Sequence, residues 1–197
     1  SYSSNAQLFF DLITSWCVEI NHKMAINLFM GMYTDTGGFK YETVTAETYQ
    51  IASELVKIAP DFHKYMFEME NSNSAEDLKF EGLALSSIKN FLNDNLAISA
   101  MSQKDLENAG ISTKARISAH IVSNLLRSVI GWNIGVCIYE IEPGVYKASF
   151  RTRDSTKFDV SKLAVALGGG GHKPAAGANI KLPKEQAIKA IVEKAKI

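Results

Sequence analysis

Several things are scarce in this chain of 197 residues, and each scarcity excludes something. There are two cysteines, Cys17 and Cys137. They lie far apart in separate apolar segments with no C-x-x-C spacing, so no disulfide framework staples the fold, and both read as buried thiols. No apolar run approaches the roughly 20 residues that a membrane helix needs. The first residues, SYSSNAQ, have neither the basic region nor the apolar block of a secretory signal, so the cytoplasm is the expected location. Net charge is missing too, with 21 Lys and Arg against 21 Asp and Glu. That balance hides a split: residues 1–111 carry 7 basic and 15 acidic side chains, whereas residues 112–197 carry 14 and 6. Two solvated surfaces would explain it. So would an acidic half suited to divalent cations beside a basic half suited to phosphates.

With 46% hydrophobic residues the chain can bury one sizeable core or two small ones. The first half reads as almost entirely helical. Ser3 or Ser4 caps a helix through AQLFFDLITSWCVEI, and a second, HKMAINLFMGMY, stops at Thr34-Asp35-Thr36-Gly37-Gly38. Thr45 caps AETYQIASELVKIA, and Pro60 opens DFHKYMFEME. The aromatic residues Phe9, Phe10, Trp16 and Phe29 fall at core spacing. Polar NSNSAED, residues 71–77, is the best boundary, and a helix from Ser74 is expected to run to about Phe91. The second half is mixed. A strand, LAISAMS, is followed by a short helix ending at Gly110 and by a longer one, ISAHIVSNLLRSVI. The strands WNIGVCIYEI and VYKASFRTR form a hairpin about Glu142-Pro143-Gly144. Asp159 caps VSKLAVAL, and a last strand, GANIKL, precedes a terminal helix.

LGGGGHKPAAGA, residues 167–178, raises the functional question. Gly168, Gly169, Gly170 and Gly171 can present several backbone N–H groups to an anion, and His172 and Lys173 add donors beside them. The run is neither a Walker loop nor a G-x-G-x-x-G fingerprint, because Gly-Lys-Ser/Thr is absent and a helix precedes the glycines. A helix cap followed by a flexible turn would use the same residues. Arg151 and Arg153 alternate along one strand and could grip phosphate bidentately. His22, His63 and His120 lie in helical patterns with no second ligand at i+3 or i+4 and read as surface or satisfied core. The aromatics Tyr146, Phe150 and Phe158 support base stacking only weakly.

KASFRTRDSTKFDVSKLAVALGGGGHKPAAGA resembles the DHHA1 domain of the DHH phosphoesterase superfamily, in particular its NrnA-like branch of oligoribonucleases and phosphatases of 3′-phosphoadenosine 5′-phosphate. Strand, helix and glycine-histidine loop occur in the same order and spacing. Upstream, SSNAQLFFDLI and MGMYTDTGGFKYETVTAETYQIASELV resemble the helix after the family's Asp-His-His motif and its Thr-Asp-Thr-Gly segment. The fold so implied is α/β: the helical C-terminal part of a Rossmann-like DHH domain (1–71), a linker helix (72–95) and an α+β DHHA1 domain with a mixed sheet (96–197). The family's His-x-Asp-x-Asp and Asp-His-His motifs do not occur in this sequence, which implies a piece of a longer protein.

By the same resemblance, Asp35 is a metal-binding carboxylate for Mn²⁺ or Mg²⁺, one ligand of a two-metal site whose other ligands lie in the absent motifs. The alternative for Asp35 is a turn-forming role before the glycines. The glycine loop and His172 would bind the substrate phosphate, with His172 positioning and neutralising it. Arg151, then Arg153 and Lys173, would hold a neighbouring phosphate. The implied substrates are short single-stranded oligonucleotides or a nucleoside bisphosphate, and no membrane is implied. The oligomeric state stays open, with a homodimer through the first domain among the expectations. A non-catalytic nucleotide- or RNA-binding DHHA1 module is the alternative function.

Overall fold

A computed structural model describes residues 2–112 and 119–196, and the chain divides into two compact units at Asn73/Ser74. No described helix is long and apolar enough to cross a membrane.

The first unit is built from α1 (Asn5–Ser15), α2 (His22–Asp35), α3 (Ala46–Ile58) and α4 (Phe62–Glu70). Side-chain caps set the starts of three of them. Ser4 Oγ accepts from Gln7 N at 3.1 Å, Asn21 Oδ1 from Met24 N at 3.1 Å, and Thr45 with Thr48 forms a reciprocal capping box. Phe10, Phe29, Met32, Ile51 and Leu55 fill the core. Phe9 and Trp16, expected there, are instead 57% and 69% exposed. Helix α1 is apolar on more than one side, but its main packing partners among the described residues of this unit are α2 and α3, so it buries one stripe. Cys17 is also exposed, contrary to expectation, because it occupies the left-handed turn (φ 54°) that ends α1; Cys137 is buried as expected.

The second unit begins with α5 (Ala75–Ser86), capped by a box between Ser74 and Asp77. The expected helix to Phe91 stops short, and Lys89–Phe91 form a strand, β1. The cause is tertiary. Ser87 Oγ bonds Ala84 O at 2.8 Å and accepts Ala100 N at 3.1 Å, tying the helix end to the neighbouring strand. There follow β2 (Leu96–Met101), α6 (Gln103–Asn108), α7 (Ala119–Ser128 as described), β3 (Ile134–Glu142), β4 (Val145–Thr152), α8 (Val160–Ala166), β5 (Gly170–His172), β6 (Ala175–Ile180) and α9 (Lys184–Lys194). The part of the expected helix at 117–118 lies outside the described residues.

Six strands make one mixed sheet in the order β1-β2-β3-β4-β6-β5, with β2 and β3 parallel and the other neighbours antiparallel. Helices cover both faces. Leu96, Ile98, Val136, Ile138 and Phe150 pack with α8 and α9, whereas Ala97, Met101 and Cys137 pack with α5, α6 and α7. All six residues of β2 are therefore buried, as a central strand between two helical layers requires. The unit is thus the mixed α/β arrangement expected, with one short strand, β5, where a loop was expected.

Candidate anion-binding site

Strand β4 shows why a site forms on one face of the sheet. Its alternation buries Tyr146, Ala148, Phe150 and Thr152 and turns Lys147, Ser149 and Arg151 to the opposite face. Helix α7 packs on that face, with Ser123 Oγ 3.0 Å from Ser149 Oγ. Beyond α7 the sheet continues into β6 and β5, whose residues lining the surface there are glycine and alanine, with His172 and Asn179 flanking them on the same face. The result is an open basin of about 390 Å³. Its floor is Gly170, Gly171, Ala175 and Gly177, and its walls carry Lys147, Arg151 and His120. No carboxylate lines it among the described residues. The Arg151 guanidinium donates to Phe150 O at 2.9 Å and Ser149 Oγ at 3.3 Å, which fixes its place on the rim.

The four glycines do not act as one loop. Gly168 takes a left-handed φ of 79°, and its N–H donates to Val165 O at 3.0 Å; the Gly169 N–H donates to Ala164 O at 2.8 Å. That pair of bonds is a Schellman closure of α8, so these two amides serve the helix end and not an anion. The same closure ends α1 at Cys17-Val18, α2 at Gly37-Gly38 and α6 at Gly110-Ile111. Gly169 and Gly171 are required by close approach: a Cβ would lie 2.1 Å from Gly177 O in the first case and 2.5 Å from Ala176 Cα in the second. At Gly170 a Cβ would meet nothing within 4 Å, and Gly170 lines the basin. Strand β5 is also a sheet edge, where alternate backbone groups point away from the partner strand.

Of the remaining expected residues, the sheet register keeps His172 in the cross-strand row of Ala175 and Arg151, whereas Lys173 and Arg153 do not line the basin. His172 ends β5 opposite Ala175 and is exposed, next in sequence to the basin floor. Lys173, in the hairpin turn, lines a separate cavity of about 190 Å³ with Phe158 and Lys162 and does not line the basin. Arg153 lies just past β4, and its guanidinium donates to Ser128 O (3.1 Å) and Val129 O (3.3 Å), where a cation complements the carboxyl end of α7. It is held at the end of α7 and does not line the basin. Tyr146 and Phe150 are buried and cannot stack on a base.

His120 is the residue that sequence reasoning misses. Its helical setting reads as ordinary surface or core, yet it lines the basin from the first described turn of α7. Burial, and then the positive charge of Arg151, holds its pKa below the usual histidine value. Its companions come from other elements, so no spacing within its own helix announces it. His22 is paired with Asp61 at 2.6 Å, and His63 is exposed, both as read.

Asp35 is the last residue of α2 in the first unit and is exposed. The buried Thr36 beside it donates to Met32 O at 2.6 Å and accepts Phe39 N at 3.0 Å, so the polar residues of TDTGG mainly shape the helix end. No cluster of three His, Cys, Asp or Glu occurs among the described residues. One exposed carboxylate is too few ligands to hold a divalent cation, so these residues do not fit a metal pair on their own.

A family model for the DHHA1 domain matches residues 93–196. The chain is 32% identical to the bifunctional oligoribonuclease and PAP phosphatase NrnA of Thermus thermophilus, over 98% of this chain and 56% of that protein. It is 26% identical to the protein of the same name from Mycoplasma pneumoniae, over 94% and 54%. Among solved structures, an exopolyphosphatase-related protein from Bacteroides fragilis superposes with a TM-score of 0.85 at 26% identity, over 98% of this chain and 56% of that one. The chain spans about half the length of the curated relatives it matches. With a family model over more than half of its residues and relatives of one kind across nearly all of them, the chain belongs to the DHHA1 family, in its DHH-associated, NrnA-like branch.

Proposed function

We propose that this chain supplies the substrate-gripping part of a phosphoesterase that acts on short single-stranded oligonucleotides or on a nucleoside bisphosphate such as 3′-phosphoadenosine 5′-phosphate. The observation that carries the reading is the glycine-floored basin, walled by Lys147, Arg151 and His120 and lined by no acid among the described residues. A guanidinium held on a rim is suited to two parallel bonds to a phosphate, and outward amides of an edge strand can add neutral donors. His172, next to the floor, approaches the same phosphate as a positioning and charge-neutralising group. The names of the relatives support the substrate class, since both describe hydrolysis of phosphate esters of nucleotides.

Asp35 is proposed as one oxygen ligand for Mn²⁺ in the intact protein. Its carboxylate sits at the negative end of α2, with no basic residue in the last turn, a placement that favours a cation and disfavours the bare helix. Because the described residues do not complete a metal site, the bond-breaking step is not theirs alone. The steps assigned to this chain are capture, orientation and charge neutralisation of phosphate.

Calorimetric titration of a 5′-phosphorylated dinucleotide into the chain tests the reading. Removing the Arg151 guanidinium (Arg151→Ala) should weaken binding about 10- to 100-fold, as expected for lost bonds to a charged group. Equal affinity of variant and wild type would overturn it.

A further inference from the structure

Resting on the reading of the basin as a phosphate site, we infer that His120 is a second phosphate-contacting residue, one that takes up a proton as the ligand binds. The charges that surround it give the reason. Strand β4 directs Lys147 and Arg151 into the same basin, whereas β5 and β6 line it with Gly170, Gly171, Ala175 and Gly177, none of which titrates, and His172 at the end of β5 is the other histidine on that face of the sheet. Among the described residues of its own helix the charged side chain is Arg127, whose guanidinium donates to Thr152 O at 2.9 Å. Among the described residues the imidazole therefore shares the basin with cations and no carboxylate, and burial together with Arg151 favours its neutral form. A phosphate entering the basin reverses the sign of the local field. The imidazolium becomes the favoured form, and it donates to the phosphate from the side opposite the glycine floor.

A second observation on α7 agrees. Asn124 lies one turn beyond His120, at i+4, and its buried Oδ1 has no hydrogen-bond partner among the described residues. A neutral imidazole has a single N–H. The doubly protonated ring has two, so it can serve phosphate with one and this acceptor with the other.

The test uses a dinucleotide of uridine with free 5′ and 3′ hydroxyls, whose single diester has no proton to exchange near neutrality. For the wild-type chain, affinity should rise by up to about tenfold from about pH 8 to about pH 5.5, with net proton uptake seen as heats that depend on the buffer's ionisation enthalpy. His120→Gln should bind more weakly than wild type at about pH 5.5 and lose most of the slope, and the part that His172 carries is removed in the His120→Gln, His172→Gln double variant. Ligand saturation should also raise the pKa of the His120 ring followed by NMR in the wild-type chain, a readout that needs no variant. A slope as steep in His120→Gln as in wild type, or a ring pKa unmoved by ligand, overturns the inference while leaving the basin intact. If Arg151→Ala binds the dinucleotide as well as wild type, the basin itself is the wrong site, and the role of His120 falls with it.

Discussion

Two helix ends, one in each unit, carry the sequence motifs that drew attention, and they are built alike. After α2 the chain reads Thr-Gly-Gly, and after α8 it reads Leu-Gly-Gly; in both, the first glycine turns left-handed and two backbone N–H groups return to the last carbonyls of the helix. The same closure at Cys17 and Gly110, where no ligand is expected, shows that it is a local solution to a helix end and not a binding device. The two ends differ in the path the chain takes next. After Gly38 the chain turns back over its own helix, with Lys40 and Tyr41 N–H groups returning to Thr36 O. After Gly169 it runs on as an edge strand whose glycines floor a basic basin. A glycine run can thus do two structural jobs in series, closing a helix first and flooring an open basin second.

That division can be broken residue by residue. The largest effect is expected from Gly169→Ala, whose methyl would lie 2.1 Å from the Gly177 carbonyl oxygen and must push β6 aside. Denaturant unfolding should show a loss of about 3 kcal/mol. A smaller, matched effect is expected at the equivalent cap positions. Gly37→Ala and Gly168→Ala each place a side chain at a left-handed φ (60° and 79°) and should each cost about 1 kcal/mol, the exposed Tyr41 ring swinging clear of the new methyl at Gly37. Near equality of the two would show that both motifs do the same local job. The smallest effect has the opposite sign: Asp35→Asn removes a carboxylate from the negative end of α2 and should stabilise the chain by about 0.5 kcal/mol. A gain in stability there, together with loss of Mn²⁺-dependent turnover in the intact protein, would mark Asp35 as a residue kept for its ligand.

The same pair of helix ends shows what could be read from the sequence. Ser4, Thr45, Ser74 and Asp159 announce helix starts because a cap is a local hydrogen bond, and all four form it. Strand β4 is legible because its two faces meet different surroundings. Strand β5 is not, since glycine has no side chain to show a period and its pairing is set by β6. The β1 strand is hidden in a helical pattern that Ser87 interrupts through a bond to β2. Phe9 and Trp16 follow a core period, but a period says nothing of how many neighbours a helix finds. His120 and Arg151 meet only because α7 packs on β4, about 30 residues further along the chain. Arg153 alternates with Arg151 in sequence, yet the strand ends between them at Thr152.

One paired measurement bears most directly on the claim that the open space above Gly170 is where a phosphate sits: dinucleotide affinity and unfolding free energy determined together for Gly170→Ala and Gly168→Ala. Gly170→Ala should unfold within about 0.5 kcal/mol of wild type and bind about tenfold more weakly, because its methyl meets no protein atom and occupies ligand space. Gly168→Ala should show the reverse, losing stability and keeping its affinity. Wild-type affinity in Gly170→Ala would contradict the account.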